Sequence, residues 1–172
     1  MCYTLEVEGH ITIDRPLTPA QLAYLKKFCE RMRLSRDPIK AAKLPDPLRE
    51  AVKLPIGEES EYYIGTELFG MEQHYHYTHK DETLLEPGKY VHPKTQPGTH
   101  CFFRFTDDGV TIHWGPNGTT EKSSKWLEYL VQHFFKPWGY TLNGRFSWDS
   151  DNQKGFIAVT NNEVQFSESV VA

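Results

Sequence analysis

Between residues 70 and 100 the chain gathers side chains that could do chemistry. Glu72-Gln73-His74-Tyr75-His76-Tyr77-Thr78-His79 is followed by His92 and His100. On an extended backbone His74 and His76 project from one face about 6–7 Å apart, near enough for two imidazoles to converge on a divalent metal. A third ligand is then needed, from Glu72, Glu82, His92, His100 or His113. The set His74, His76 and His100 is the metal expectation, and a metal held there would activate water for hydrolysis. The competing expectation is a partner interface in which histidines alternate with tyrosines. Tyr75, Tyr77 and Trp138 are then the contact residues, because amphipathic aromatics suit interfaces. This second reading leads: it carries no catalytic residue and no cofactor.

Other motifs fail on chemistry. Gly115-Pro116-Asn117-Gly118-Thr119-Thr120-Glu121-Lys122-Ser123 has the setting of a phosphate loop, but Glu121 puts a carboxylate where the backbone must wrap a phosphate. Asp149-Ser150-Asp151-Asn152 opens like a calcium loop, yet Lys154 replaces the turn glycine and Thr160 the bidentate glutamate. It reads as a hairpin loop. Pro97-Gly98-Thr99-His100 is faintly similar to cupin metal motifs, with spacings that miss the pattern. His76-Tyr77-Thr78 is similar to half of the paired signature of 2H phosphoesterases, and the second copy is missing. No Gly-x-Ser-x-Gly elbow occurs. Cys2, Cys29 and Cys101 are far apart and form no C-x-x-C pair, so they read as buried or incidental thiols.

The elements that must position these residues follow from periodicity. Alternation over 3–13, with Tyr3, Leu5, Val7, Ile11 and Ile13 on one side, predicts a strand. Thr18, Pro19 and Gln21 predict a helix start, and Leu22, Leu25, Phe28, Cys29 and Met32 give that helix an apolar face for the sheet. Asp37-Pro38 and Asp46-Pro47 each look like a cap before a proline, so 36–57 is a connector with two short helices. A strand is expected over 61–69 and an irregular histidine-rich loop over 70–98. Residues 101–105 and 110–114 form a hairpin about Thr106-Asp107-Asp108-Gly109. The stripe Trp126, Leu127, Leu130, Val131 and Phe134 is a helix ending before Pro137, with Tyr129 and His133 paired beside it. Strands over 140–148 and 155–166 close the chain across an Asn161-Asn162 turn. The expected fold is one α+β domain over 1–172, a largely antiparallel sheet with two main helices packed on one face.

Composition narrows the partners. The 172 residues carry a formal charge of −4, 38% hydrophobic and 13% aromatic residues, a balance that folds rather than staying disordered. No stretch approaches the roughly 20 apolar residues of a spanning helix, and the N-terminus is unlike a secretory signal, so the expected location is cytoplasmic with no membrane. Lys26, Lys27, Arg31, Arg33, Arg36, Lys40 and Lys43 are the densest basic group and read as a solvated helix side. Nucleic acid is therefore not an expected partner.

The run Trp126-Leu127-Glu128-Tyr129-Leu130-Val131-Gln132-His133-Phe134-Phe135-Lys136-Pro137-Trp138-Gly139-Tyr140-Thr141-Leu142-Asn143-Gly144-Arg145-Phe146-Ser147-Trp148 resembles a helix-to-strand phrase of small proteins from phages and bacterial mobile elements. The run Ile11-Thr12-Ile13-Asp14-Arg15-Pro16-Leu17-Thr18 is similar to theirs as well. The resemblance brings no activity and no catalytic residues. It implies a non-enzymatic accessory protein that binds a host or phage protein, with countering a host defence as one role. The alternative expectation is a metal-binding protein or metal-dependent hydrolase built on His74 and His76.

Overall fold

The computed structural model describes residues 5–65, 82–115 and 119–170. It shows an α+β fold with an open antiparallel sheet of six strands. The chain divides into two compact units, Met1–Thr18 with Phe102–Ala172, and Pro19–Cys101.

The first unit holds the sheet. Its strands are β1 (Glu8–Ile13), β2 (Arg104–Phe105), β3 (Thr111–His113), β4 (Leu142–Asp149), β5 (Gln153–Thr160) and β6 (Glu163–Val170), in the order β2-β3-β1-β4-β5-β6. The alternation that predicted β1 extends further back in sequence than the strand, which begins at Glu8. Register sends Ile11, Ile13, Ile112, Leu142, Phe146, Ile157 and Val159 to one face, all buried. Glycines let β1 and β4 approach: a Cβ on Gly144, at φ +148°, would lie 2.4 Å from the His10 carbonyl oxygen. Asn161 and Asn162, at φ 47° and 71°, make the left-handed turn between β5 and β6. The Asn162 carboxamide also ties down the start of β4, accepting from Leu142 N at 2.7 Å and donating to Tyr140 O at 2.9 Å.

The unit's helix, Thr120–Leu130, covers the apolar face with Trp126, Leu127 and Leu130. It continues as a π turn over Val131–Phe135, closed by Lys136 N donating to Val131 O at 2.8 Å. Pro137 has no N–H to extend an α-helical ladder, and the wider turn buries both Phe134 and Phe135. Phe135 then meets Phe105 of β2, ring centroids 6.4 Å apart. Tyr129 and His133 stack at 4.0 Å, the expected pair.

The second unit begins with α1 (Pro19–Glu30), which buries Tyr24, Leu25, Phe28 and Cys29. Two short helices follow, α2 (Pro38–Ala42) and α3 (Pro47–Ala51), and the helix over Thr120–Leu130 is accordingly α4. Asp37 caps α2 as expected, accepting from Ile39 N and Lys40 N at 2.9 and 3.3 Å. Asp46 does not cap α3 with its side chain. Fully buried, it accepts from Arg49 Nε at 2.7 Å, Gly65 N at 2.9 Å and Ile64 N at 3.3 Å.

Two expectations are corrected here. Residues 61–65 form no strand, and 66–69 lie outside the described residues. Side chains take the backbone groups a neighbouring strand would have used: Arg33 Nη2 donates to the carbonyls of Glu61 and Tyr63, each at 2.8 Å, and Asp46 accepts the following N–H groups. Nor do the three arginines of the basic group form a solvated helix side, because Arg31, Arg33 and Arg36 are only 3–4% exposed, whereas Lys40 and Lys43 are exposed as expected. The arginines follow α1 rather than belonging to it, on an extended segment whose N–H groups at Arg33, Ser35, Arg36 and Asp37 bond to Thr99, Val91, Glu59 and Thr83. Their planar guanidiniums stack as well as donate, Arg33 over Phe28 at 4.3 Å and Arg36 over Tyr63 at 4.9 Å.

Candidate functional site

Of the metal set His74, His76 and His100, only His100 is among the described residues; His92, another candidate ligand, has Nδ1 2.8 Å from the Pro93 carbonyl oxygen. His74 and His76 lie outside the described residues, as do Tyr75 and Tyr77. His100 is half-buried, with Nδ1 3.0 Å from the Thr99 hydroxyl, and burial pushes its pKa down. Among the described residues no three or more His, Cys, Asp and Glu side chains are grouped to hold a metal ion. Trp138 sits half-buried just beyond the π turn, its ring 5.6 Å from that of Phe134.

Sequence reasoning also missed a thiol pair. Cys29 on α1 and Cys101 at the end of the same unit are both buried, with their sulfurs 3.3 Å apart. Burial and then the neighbouring Cys101 thiol hold the Cys29 thiol well above its usual range, which keeps it protonated and unreactive. No local motif announces a pair separated by 72 residues.

The site with the clearest means of engaging another molecule is the sheet edge at β6. An edge strand points alternate N–H and C=O groups away from its neighbour. β6 pairs with β5 over all eight of its residues, and among the described residues nothing pairs with its other side. The strand contains neither lysine nor proline, the usual means of blocking an edge. Register places Val164 opposite Val159 and Phe166 opposite Ile157, on the face that α4 covers. Phe166 is 40% exposed and Val170 75% exposed, leaving apolar surface along the edge.

Helix α4 runs alongside β6 in the opposite direction. At its start the Thr120 hydroxyl donates to Glu168 Oε1 at 3.1 Å, and at its far end Val131 and Gln132 share a groove with Val164 and Gln165. That groove encloses about 470 Å³, and its charged lining is acidic, from Glu128 and Glu163. Edge, apolar side chains and acidic rim together can add an extended peptide: main-chain hydrogen bonds hold it, while the groove reads alternate side chains.

The chain matches no known family model, no curated protein and no solved structure. Among the described residues no helix is long and apolar enough to cross a membrane.

Proposed function

We propose that this protein is a non-enzymatic binding module that takes an extended, basic segment of a partner protein as an added strand along β6. The observation that carries the reading is the eight-residue edge beside an acidic groove. Main-chain pairing supplies affinity, apolar side chains of the added strand rest by Val164 and Phe166, and lysines or arginines meet Glu128 and Glu163. The resemblance of 126–148 to proteins of phages and mobile elements supports a host or phage protein as the source of that segment. Blunting a host defence would be the consequence of such capture.

The test uses a ten-residue peptide of alternating lysine and valine, with amide hydrogen exchange read residue by residue. Expected is slowed exchange confined to 163–170 and weakening with salt, abolished by Phe166→Lys with Val164→Lys. Unchanged β6 exchange at millimolar peptide would overturn the proposal, as would equal protection in the lysine variant. Circular dichroism of that variant establishes that the sheet is intact.

A further inference from the structure

The face of the sheet opposite α4 carries a row that no stretch of sequence contains. Arg104 on β2 pairs with His113 on β3. The β1–β3 register, Ile11 with Ile112, sets His10 beside His113, and the two imidazole centroids are 6.1 Å apart. His10 in turn pairs with Arg145 on β4. Four adjacent strands thus contribute Arg, His, His and Arg in line, and all four residues are exposed. Three inter-strand spacings make the row about 14 Å long.

The residues around the row are mixed in charge, so its cationic character rests on Arg104 and Arg145 themselves. On one flank stand Thr12, Thr111 and Asn143, all uncharged. On the other, Glu8 is the carboxylate paired with Ser147 beside the row, and Phe156 and Ser167 continue that line. Arg145 Cζ sits over the Phe156 ring, 3.9 Å from its centroid, which anchors the guanidinium on this face. Arg145 and Phe156 also border an open groove of about 540 Å³ whose wall carries Ser147 and Ser167, the carboxylates of Glu6, Glu8 and Asp149, and Lys154, which pairs with Asp149 at 3.7 Å.

We propose that this face binds single-stranded nucleic acid, its phosphodiester groups lying along Arg104, His113, His10 and Arg145. Guanidinium forks and imidazole N–H groups are donors suited to phosphate oxygens. The row is longer than one phosphate can span, so successive phosphates of a chain fit it better than a free anion does. An unpaired base next to Arg145 can stack on the guanidinium and offer its edge to the hydroxyls and carboxylates of the groove. A duplex fits poorly, because its major groove admits a helix or a two-stranded ribbon rather than a broad sheet face. The row does not register in the overall charge of the chain, since its members are residues 10, 104, 113 and 145.

The probe is a fluorescein-labelled twelve-nucleotide oligouridylate titrated with the full chain and read by anisotropy. Two to four neutralised phosphates predict affinity falling ~7-fold to ~50-fold between 50 and 200 mM salt. Arg104→Glu with Arg145→Glu is expected to weaken binding at least tenfold. Arg104→Lys with Arg145→Lys should retain most of it, and Lys40→Glu with Lys43→Glu, an equal charge change on exposed residues of the other unit, should leave it unchanged. Arg104→Gln with Arg145→Gln repeats the loss if the glutamate variant does not fold. No anisotropy change at 20 mM salt would overturn the proposal, as would equal loss in the Lys40 and Lys43 control. Equal affinity for poly-glutamate would reassign the face to acidic protein, and full competition by millimolar inorganic phosphate would reassign it to a free anion; either defeats the proposal.

Discussion

The two units solve the same problem, satisfying buried backbone, by opposite means. In the first, strands pair with strands and an apolar face is covered by one helix, so nearly every core residue is Ile, Leu, Val, Phe or Trp. In the second, irregular loops are held by buried polar side chains, above all Arg33, Arg36, Asp46 and Gln96. Glu61 shows the density of that network: its carbonyl accepts from Arg33 and Gln96, and its carboxylate accepts from the Thr95 hydroxyl. A core of the first kind tolerates trimming in proportion to volume. A core of the second kind fails when one charge loses its counterpart, because the orphan cannot reach water.

Substitutions in the two units are expected to differ in both size and rescue. Asp46→Ala, which strands Arg49 and two backbone N–H groups, is expected to cost roughly 3–5 kcal/mol, with accelerated amide exchange through 19–65. Phe146→Ala should cost a similar ~3–5 kcal/mol in the sheet, but with a different rescue: Phe146→Leu recovers most of the loss, whereas Asp46→Leu recovers none. Urea titration of the four variants checks this, and recovery in Asp46→Leu would show that the buried carboxylate is replaceable by packing alone.

Removing the Asp37 cap as Asp37→Ala should cost about 1 kcal/mol and fray only α2, visible as local exchange at Ile39 and Lys40. A slighter effect belongs to His100. Its folded pKa is depressed by burial, so it favours folding fully above the unfolded value of about 6.5, and that contribution is lost as pH falls below it. His100→Gln should flatten the acid limb of stability below that pH, and an unchanged slope would remove His100 from the linkage. Least of all, Glu121→Ala on α4 breaks an exposed ion pair to Lys125 at 3.2 Å and should cost at most about 0.5 kcal/mol.

The contrast explains how much could be read in advance. The sheet unit was legible because its signals are local: alternation over β4, the Asp-Gly turn at Gly109, φ 72°, and the Asn161-Asn162 turn all act within a few residues. The second unit was not. Arg31, Arg33 and Arg36 resemble a solvated helix side in sequence, and only loops from 59–63 and 83–99 arriving around them turn them into interior groups. The residues proposed to bind a strand were half visible, since β6 was expected as part of the closing strands while its place at the edge was not.

Local chemistry therefore determined where strands turn, where α1 and α2 begin, that Pro137 ends a helix, and which strand positions face inward. Those features depend on dihedral preference and side-chain period, which neighbours in sequence control. Tertiary structure alone decided that Asp46 anchors a loop instead of capping a helix, that Cys29 meets Cys101, and that Arg104, His113, His10 and Arg145 line up. Each of these needs a register or a closed loop joining segments far apart in the chain, and no short-range preference specifies which partner arrives.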